Sequence, residues 1–157
     1  MATQRIVRCL EAGNSERWAL IVDDDTIELL TGSPFEGLQP SGERRKVSDV
    51  KLLAPIETGA RLICVGLNYT KHALESNLPL PVQPMLFHMP STAIVGTGDE
   101  IVYPHEGKVV QFEGELGVVI GRRARRVSAE DALDYVLGYT IGNDVPERVI
   151  QMAEMAN

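Results

Sequence analysis

Disulfide chemistry has little to work with in this sequence. Of 157 residues only two are cysteine, Cys9 and Cys64, each alone in an apolar stretch, which excludes a disulfide framework and a paired-thiolate metal site. Both read as buried, inert thiols of a protein in the reducing cytoplasm. No apolar run approaches the roughly 18 residues of a membrane span. The first residues also lack the charged, apolar and small-residue order of a secretory leader. Aromatic residues make up only 5% of the chain and the formal charge is −7, so its field repels a polyanion. Neither nucleic acid nor membrane is an expected partner. The one basic run, Arg122–Arg126, has no interleaved aromatics and reads as a solvated turn, with an interaction patch as the alternative. A Gly-rich phosphate loop, a Gly-x-Ser-x-Gly elbow and zinc-ligand spacing are all missing.

What is present suits a folded chain with its own core: 44% of residues are apolar and 24% charged. Short apolar runs at Arg5–Leu10, Trp18–Val22 and Thr26–Leu30, separated by Gly13-Asn14-Ser15 and Asp23-Asp24-Asp25, predict a three-stranded meander. The aspartates lack the glycine and closing glutamate of a calcium loop and read as a hairpin tip. Residues 31–49, dense in glycine and proline, read as an irregular connection. A boundary near Pro55 then separates a small β-rich N-terminal domain, 1–54, from a second unit, 55–157. There Arg61–Val65 predicts a strand, and the proline-rich 75–90 a long surface loop. Ile94-Val95 and Ile101-Val102 predict a hairpin around Gly96–Asp99, and 111–120 another strand. Ser128 to Asp131 resembles a capping box opening a helix through Ala132, Leu133, Val136 and Leu137, and Glu147–Ala156 reads as a last amphipathic helix. The fold class is mostly β with short helices, α+β.

Three groups of residues could carry chemistry. Glu113 and Glu115 project from one face of a strand, with Gly114 between them leaving the backbone uncrowded. Two such carboxylates are stable together only if they bind a cation, share a proton or face water, so the pair is either a metal site or a solvated strand edge. All-oxygen donors favour Mg²⁺ or Mn²⁺. Asp144, in a Gly-Asn-Asp turn, is a candidate third donor or a simple turn former. His72 and Glu75, three residues apart, share a face of one helical turn and read as a water-activating pair or an exposed ion pair. His88 and His105 have no such partner.

The order of these signals is more specific than any one of them. Leu62-Ile63-Cys64-Val65-Gly66-Leu67-Asn68-Tyr69 followed by His72 and Glu75 resembles the fumarylacetoacetate hydrolase family. So do Phe112-Glu113-Gly114-Glu115 with the apolar run to Gly121, and Ala132 to Tyr139 followed by Asn143-Asp144, Arg148 and Gln151. The resemblance runs from about Ala54 to Gln151, and residues 1–54 look like the small N-terminal domain of the bacterial members. It implies a mixed β-sandwich or roll, incomplete at its C-terminal end, and a homodimer. It also implies that Glu113, Glu115 and Asp144 hold Mg²⁺ or Mn²⁺, that His72 and Glu75 form a dyad on a lid, and that Tyr69, Arg148 and Gln151 reach the substrate. That substrate would be a small 2-oxo or 1,3-dicarbonyl acid, hydrolysed, decarboxylated or isomerised through an enolate on the metal, as in aromatic-compound catabolism. The family commonly has Phe-x-Lys-Pro where this chain has Phe87-His88-Met89-Pro90, so one cation is absent there. The alternative expectation is a truncated, catalytically silent metal-binding or dimerisation module, and a weaker one an interaction protein acting through Arg122–Arg126.

Overall fold

A computed structural model describes residues 3–57 and 59–155. The N-terminal third forms one antiparallel sheet of five strands: β1 (Ile6–Glu11), β2 (Ser15–Ile21), β3 (Thr26–Leu30), β4 (Pro40–Lys46) and β5 (Lys51–Leu53), in the order β4-β3-β2-β1-β5. Register explains where the core lies. Val7 pairs with Ala19 and Ala19 with Leu29, Ile21 pairs with Ile27, and Cys9 with Leu52, so all seven share one face. Cys9, Ala19, Ile27 and Leu29 are fully buried there, with Val7, Ile21, Val47, Val50 and Leu52 packed around them. On the other face Arg8 lies 5.5 Å from the Trp18 ring centroid and is itself buried. Its guanidinium donates to Ala54 O (3.1 Å), Ile56 O (2.6 Å) and Glu16 (2.6 Å), fixing the chain as it leaves β5.

The meander was legible, but its extension was not. The segment 31–49 contributes β4, which pairs with β3 across a register irregularity between Glu28 and Leu30. Pro40 opens β4, where a missing N–H is tolerated. Arg45 binds Glu11 (2.8 Å) and Glu43 (2.9 Å), so ion pairs fix a strand with no apolar alternation.

Residues 62–143 hold two ribbons. Strand β6 (Leu62–Gly66) pairs with β7 (Met85–Met89), and β8 (Gly114–Ile120) with β9 (Val136–Asn143). The expected loop over 75–90 therefore contains a strand: Pro84 and Pro90 flank β7 and interrupt none of its bonds. Between β6 and β7 lies α1 (Thr70–Glu75), entered through Leu67 at φ 51° and closed by Asn77 at φ 53°. Leu78 N–H bonds back to Ala73 O at 2.9 Å, a left-handed helix cap that asparagine accommodates. Ala73 anchors α1 and is fully buried.

Two further expectations are corrected. Ile94-Val95 and Ile101-Val102 form no strands. The turn at Gly96–Asp99 is held instead by Asp99, which accepts from Gly96 N (2.9 Å) and Lys51 Nζ (2.6 Å). Gly96 lies so close to β5 that a Cβ there would come within 2.7 Å of Ala54 N. The helix expected from Ser128 is only a short 3-10 turn, Ala132–Tyr135, and Val136 starts β9. Ser128 Oγ does accept from Asp131 N–H, but the β-branched and aromatic run that follows finds β8 as a partner, and pairing overrides the helical spacing. The last helix, α2 (Arg148–Met155), forms where expected; Ala156 lies outside the described residues. Arg122–Arg126 is an exposed turn, with Arg122 4.4 Å from the Tyr135 ring centroid. Among the described residues no helix is long and apolar enough to cross a membrane.

Candidate active site

The β8–β9 register brings the acidic residues together. Gly114 pairs with Asn143 and Glu115 with Gly142, and Asp144 N–H bonds to Glu113 O at 3.0 Å, so Glu113 and Asp144 face each other at the ribbon's end. Glu115 follows two residues along on the same, half-buried face of β8, while Leu116, Val118 and Ile120 lie on the exposed one. Asn143 Oδ1 accepts from Glu113 N at 3.0 Å and locks the turn. A Cβ at Gly114 would meet nothing within 4 Å, so crowding is not what requires glycine there.

Beyond the ribbon the pairing continues irregularly. Val110 bridges Glu147, Gln111 N–H bonds to Pro146 O (3.2 Å) and Arg148 N–H to Val109 O (2.8 Å). Glu147 secures this join: its carboxylate accepts from the backbone N–H of Lys108 (2.9 Å), Val109 (2.7 Å) and Ile150 (2.6 Å). Those bonds hold its pKa below the ordinary carboxylate range. Arg148, on α2, thereby faces Glu113, with Gln151 three residues on beside it. Arg148 Nη2 donates to Glu113 Oε1, Nη1 to Gln151 Oε1 (2.8 Å) and Nε to Gln111 Oε1 (2.8 Å).

From the other ribbon, α1 brings His72 and Tyr69. His72 Nε2 is 4.0 Å from Glu113 Oε1, and no hydrogen bond or ion pair joins it to the exposed Glu75. Tyr69 is 42% exposed and its hydroxyl accepts from Leu116 N–H at 3.1 Å, tying the start of α1 to β8 beside Glu115. Tyr69→Phe deletes this acceptor; a loss of about 0.5–1 kcal/mol in denaturant unfolding is expected, and an unchanged midpoint would deny the tether.

Electrostatics shows the acids sensing one another. Burial, then the charges of Asp144 and Glu113, push the Glu115 pKa up, and His72 opposes them. Asp144 is raised by burial and then Glu113, with Arg148 opposing. The half-buried Cys64 on β6 is raised by burial, then by Asp144 and Glu115, so its thiol stays protonated beside the acids. Sequence reasoning missed Cys64 as a neighbour of the site, and missed Gln111, Asn143 and Glu147 as its supports. Only Glu147 carried a local signal, an acid immediately before a helix start.

Three carboxylates, of which Glu115 and Asp144 have raised proton affinity, are a donor set suited to a hard divalent cation in number, charge and chemistry. They are nevertheless spread apart. Among the described residues no three His, Cys, Asp or Glu side chains are gathered closely enough to hold a metal ion, and Glu113 is turned to Arg148.

Comparison with known proteins places this geometry in context. The family model described as fumarylacetoacetate (FAA) hydrolase C-terminal matches residues 61–157, and that described as Rv2993c-like, N-terminal, matches residues 4–55. Protein Rv2993c of Mycobacterium tuberculosis is 43% identical over 129 residues, covering 82% of this chain and 48% of that protein. Oxaloacetate tautomerase fahd2, mitochondrial, of Xenopus laevis is 44% identical over 105 residues, covering 67% of this chain and 33% of that protein. The crystal structure of 2-hydroxyhepta-2,4-diene-1,7-dioate isomerase from Mycobacterium marinum superposes with a TM-score of 0.83 at 37% identity, covering 97% of this chain and 58% of that one. The chain thus spans a third to a half of the length of these two curated relatives.

Proposed function

The chain belongs to the fumarylacetoacetate hydrolase family, and from that premise we propose that it serves a divalent-metal-dependent isomerase or hydrolase acting on a small 2-oxo or 1,3-dicarbonyl acid. The observation that carries this reading is the placement of Glu113, Glu115 and Asp144 at one end of the β8–β9 ribbon, with Arg148 and Gln151 on one side and His72 on the other. Glu113, Glu115 and Asp144 would hold Mg²⁺ or Mn²⁺, which when bound supplies Lewis acidity that favours an enolate. The protein's own groups supply the rest. Arg148 and Gln151 offer N–H donors to the substrate carboxylate, because Gln151 spends its carbonyl on Arg148 and keeps its amide hydrogens. His72, half-exposed and 4.0 Å from Glu113, would take a proton from the substrate or from water and return it. Glu75, exposed on the same helix, completes the dyad only if the two side chains meet on closure.

Tautomerisation or isomerisation is favoured over hydrolysis by the two named relatives, an oxaloacetate tautomerase and a hydroxyheptadienedioate isomerase. The test is Mg²⁺-dependent loss of enol absorbance with oxaloacetate, run beside acylpyruvate cleavage. His72→Gln is expected to lower the faster of the two by about 10²–10⁴-fold. Equal rates in parent and variant would remove His72 from the chemistry. A homodimer belongs to the same reading: Leu116, Val118, Tyr139 and Ile141 form an exposed apolar face suited to burial against a second copy. That face also favours the second reading, a silent binding or dimerisation module, which Mn²⁺ binding without turnover of either substrate would support.

A further inference from the structure

Arg148 has all three nitrogens of its guanidinium committed inside the site. Nε is held by Gln111 Oε1 and Nη1 by Gln151 Oε1, both at 2.8 Å, while Nη2 grips Glu113 Oε1. The side chains of Arg148 and Glu113 keep 19% and 22% of their accessible surface, so the pair is partly shielded from water. Two anchors are neutral amides that hold the fork by Nε and Nη1, leaving Nη2 able to turn about the line between them. The third is an acid of the cluster, and its bonded oxygen is the one that His72 approaches. As long as Nη2 occupies that oxygen, Arg148 can neither give it up to a cation nor turn the same edge to a substrate.

We propose that Arg148 is the built-in counter-ion of the acidic cluster: uptake of a divalent cation displaces its Nη2 edge from Glu113 and frees that edge for an anionic ligand. The inference rests on reading the cluster as a metal centre. A dication and a guanidinium compete for one carboxylate oxygen, and the dication carries twice the charge. The bonds to Gln111 and Gln151 survive the exchange, so the guanidinium swivels on its anchors and remains at the site. Cation and carboxylate ligand then each strengthen binding of the other, by reciprocal linkage. The free site admits the cation first.

The opposite arrangement makes a different prediction. If Arg148 only orients Glu113 while the other carboxylate oxygen takes the ion, removing it weakens binding. Calorimetric titration of the full chain with Mn²⁺, in buffer free of carboxylates, separates the two. Arg148→Gln is expected to bind Mn²⁺ about tenfold more tightly than the parent. Equal or weaker binding would overturn the counter-ion role and leave the metal centre standing, whereas no uptake by either protein would remove the centre and this inference with it. A second measurement needs no variant. In the ¹⁵N spectrum of arginine side chains, Mg²⁺ is expected to shift the Arg148 Nη signal and speed its rotation; an Nη signal unchanged at saturating Mg²⁺ would overturn the displacement even if the variant bound more tightly through its altered charge.

Discussion

Glu115→Gln is expected to raise the melting temperature of the protein in EDTA while abolishing its gain in stability from Mn²⁺ and cutting Mg²⁺-dependent turnover by at least about 10²-fold. The stability half follows from the sign of the pKa shift. Burial, then Asp144 and Glu113, raise the Glu115 pKa above its ordinary value of 4.5, so the folded state binds the proton more tightly than the unfolded one. Ionising Glu115 therefore opposes folding: the penalty is absent below the ordinary value, grows as pH rises through the raised one, and is fully present above it. Glutamine cannot ionise and escapes it. The variant's advantage should accordingly be seen at pH 7 and vanish near pH 4. A divalent cation removes the same penalty in the parent by supplying opposite charge, which is why the parent alone should gain from Mn²⁺. Melting curves across pH, with EDTA or Mn²⁺, check both halves. A variant less stable than the parent at pH 7 would show that Glu115 is a structural partner and no part of a strained acidic cluster.

Such a cluster was partly legible in the sequence because its signals are local. Glu113 and Glu115 alternate along one strand, Arg148 and Gln151 share a helix face, and His72 follows a strand end, so each pair could be seen within a few residues. The contacts that assemble them were not. Arg148 and His72 meet on Glu113 across 35 and 41 positions, and Cys64 reaches the field of Glu115 and Asp144 from a different ribbon. Nothing in local spacing specifies such meetings. The same distinction separates the fold expectations that held from those that did not. β1 to β3 carry their hairpin turns with them. β4, β7 and β9 are strands because of the partner each meets: β4 is polar, β7 sits between prolines, and β9 begins inside a passable helical pattern. The expected pairing of His72 with Glu75 rested on helical spacing and on the family resemblance; α1 leaves Glu75 exposed, and His72 has its charged neighbour in Glu113.

The largest stability effect should fall far from these acids. Leu29, on β3, is fully buried in the core of the five-stranded sheet with Cys9, Ala19 and Ile27. Leu29→Ala removes buried methyl groups and leaves a cavity that a paired strand cannot collapse, at a cost of about 2–5 kcal/mol. That is a large share of the roughly 5–15 kcal/mol that holds an ordinary domain together. Leu116→Ala supplies the contrast. Leu116 is 61% exposed on β8, and its truncation should change stability by no more than about 0.5 kcal/mol if that face meets only water. Denaturant unfolding of both variants at several protein concentrations measures the difference. Should Leu116→Ala cost as much as Leu29→Ala, and more at high concentration than at low, the face of Leu116, Val118, Tyr139 and Ile141 is buried against a second copy. The ribbon carrying Glu113, Glu115 and Asp144 would then owe its stability to assembly, while the N-terminal sheet keeps a core of its own.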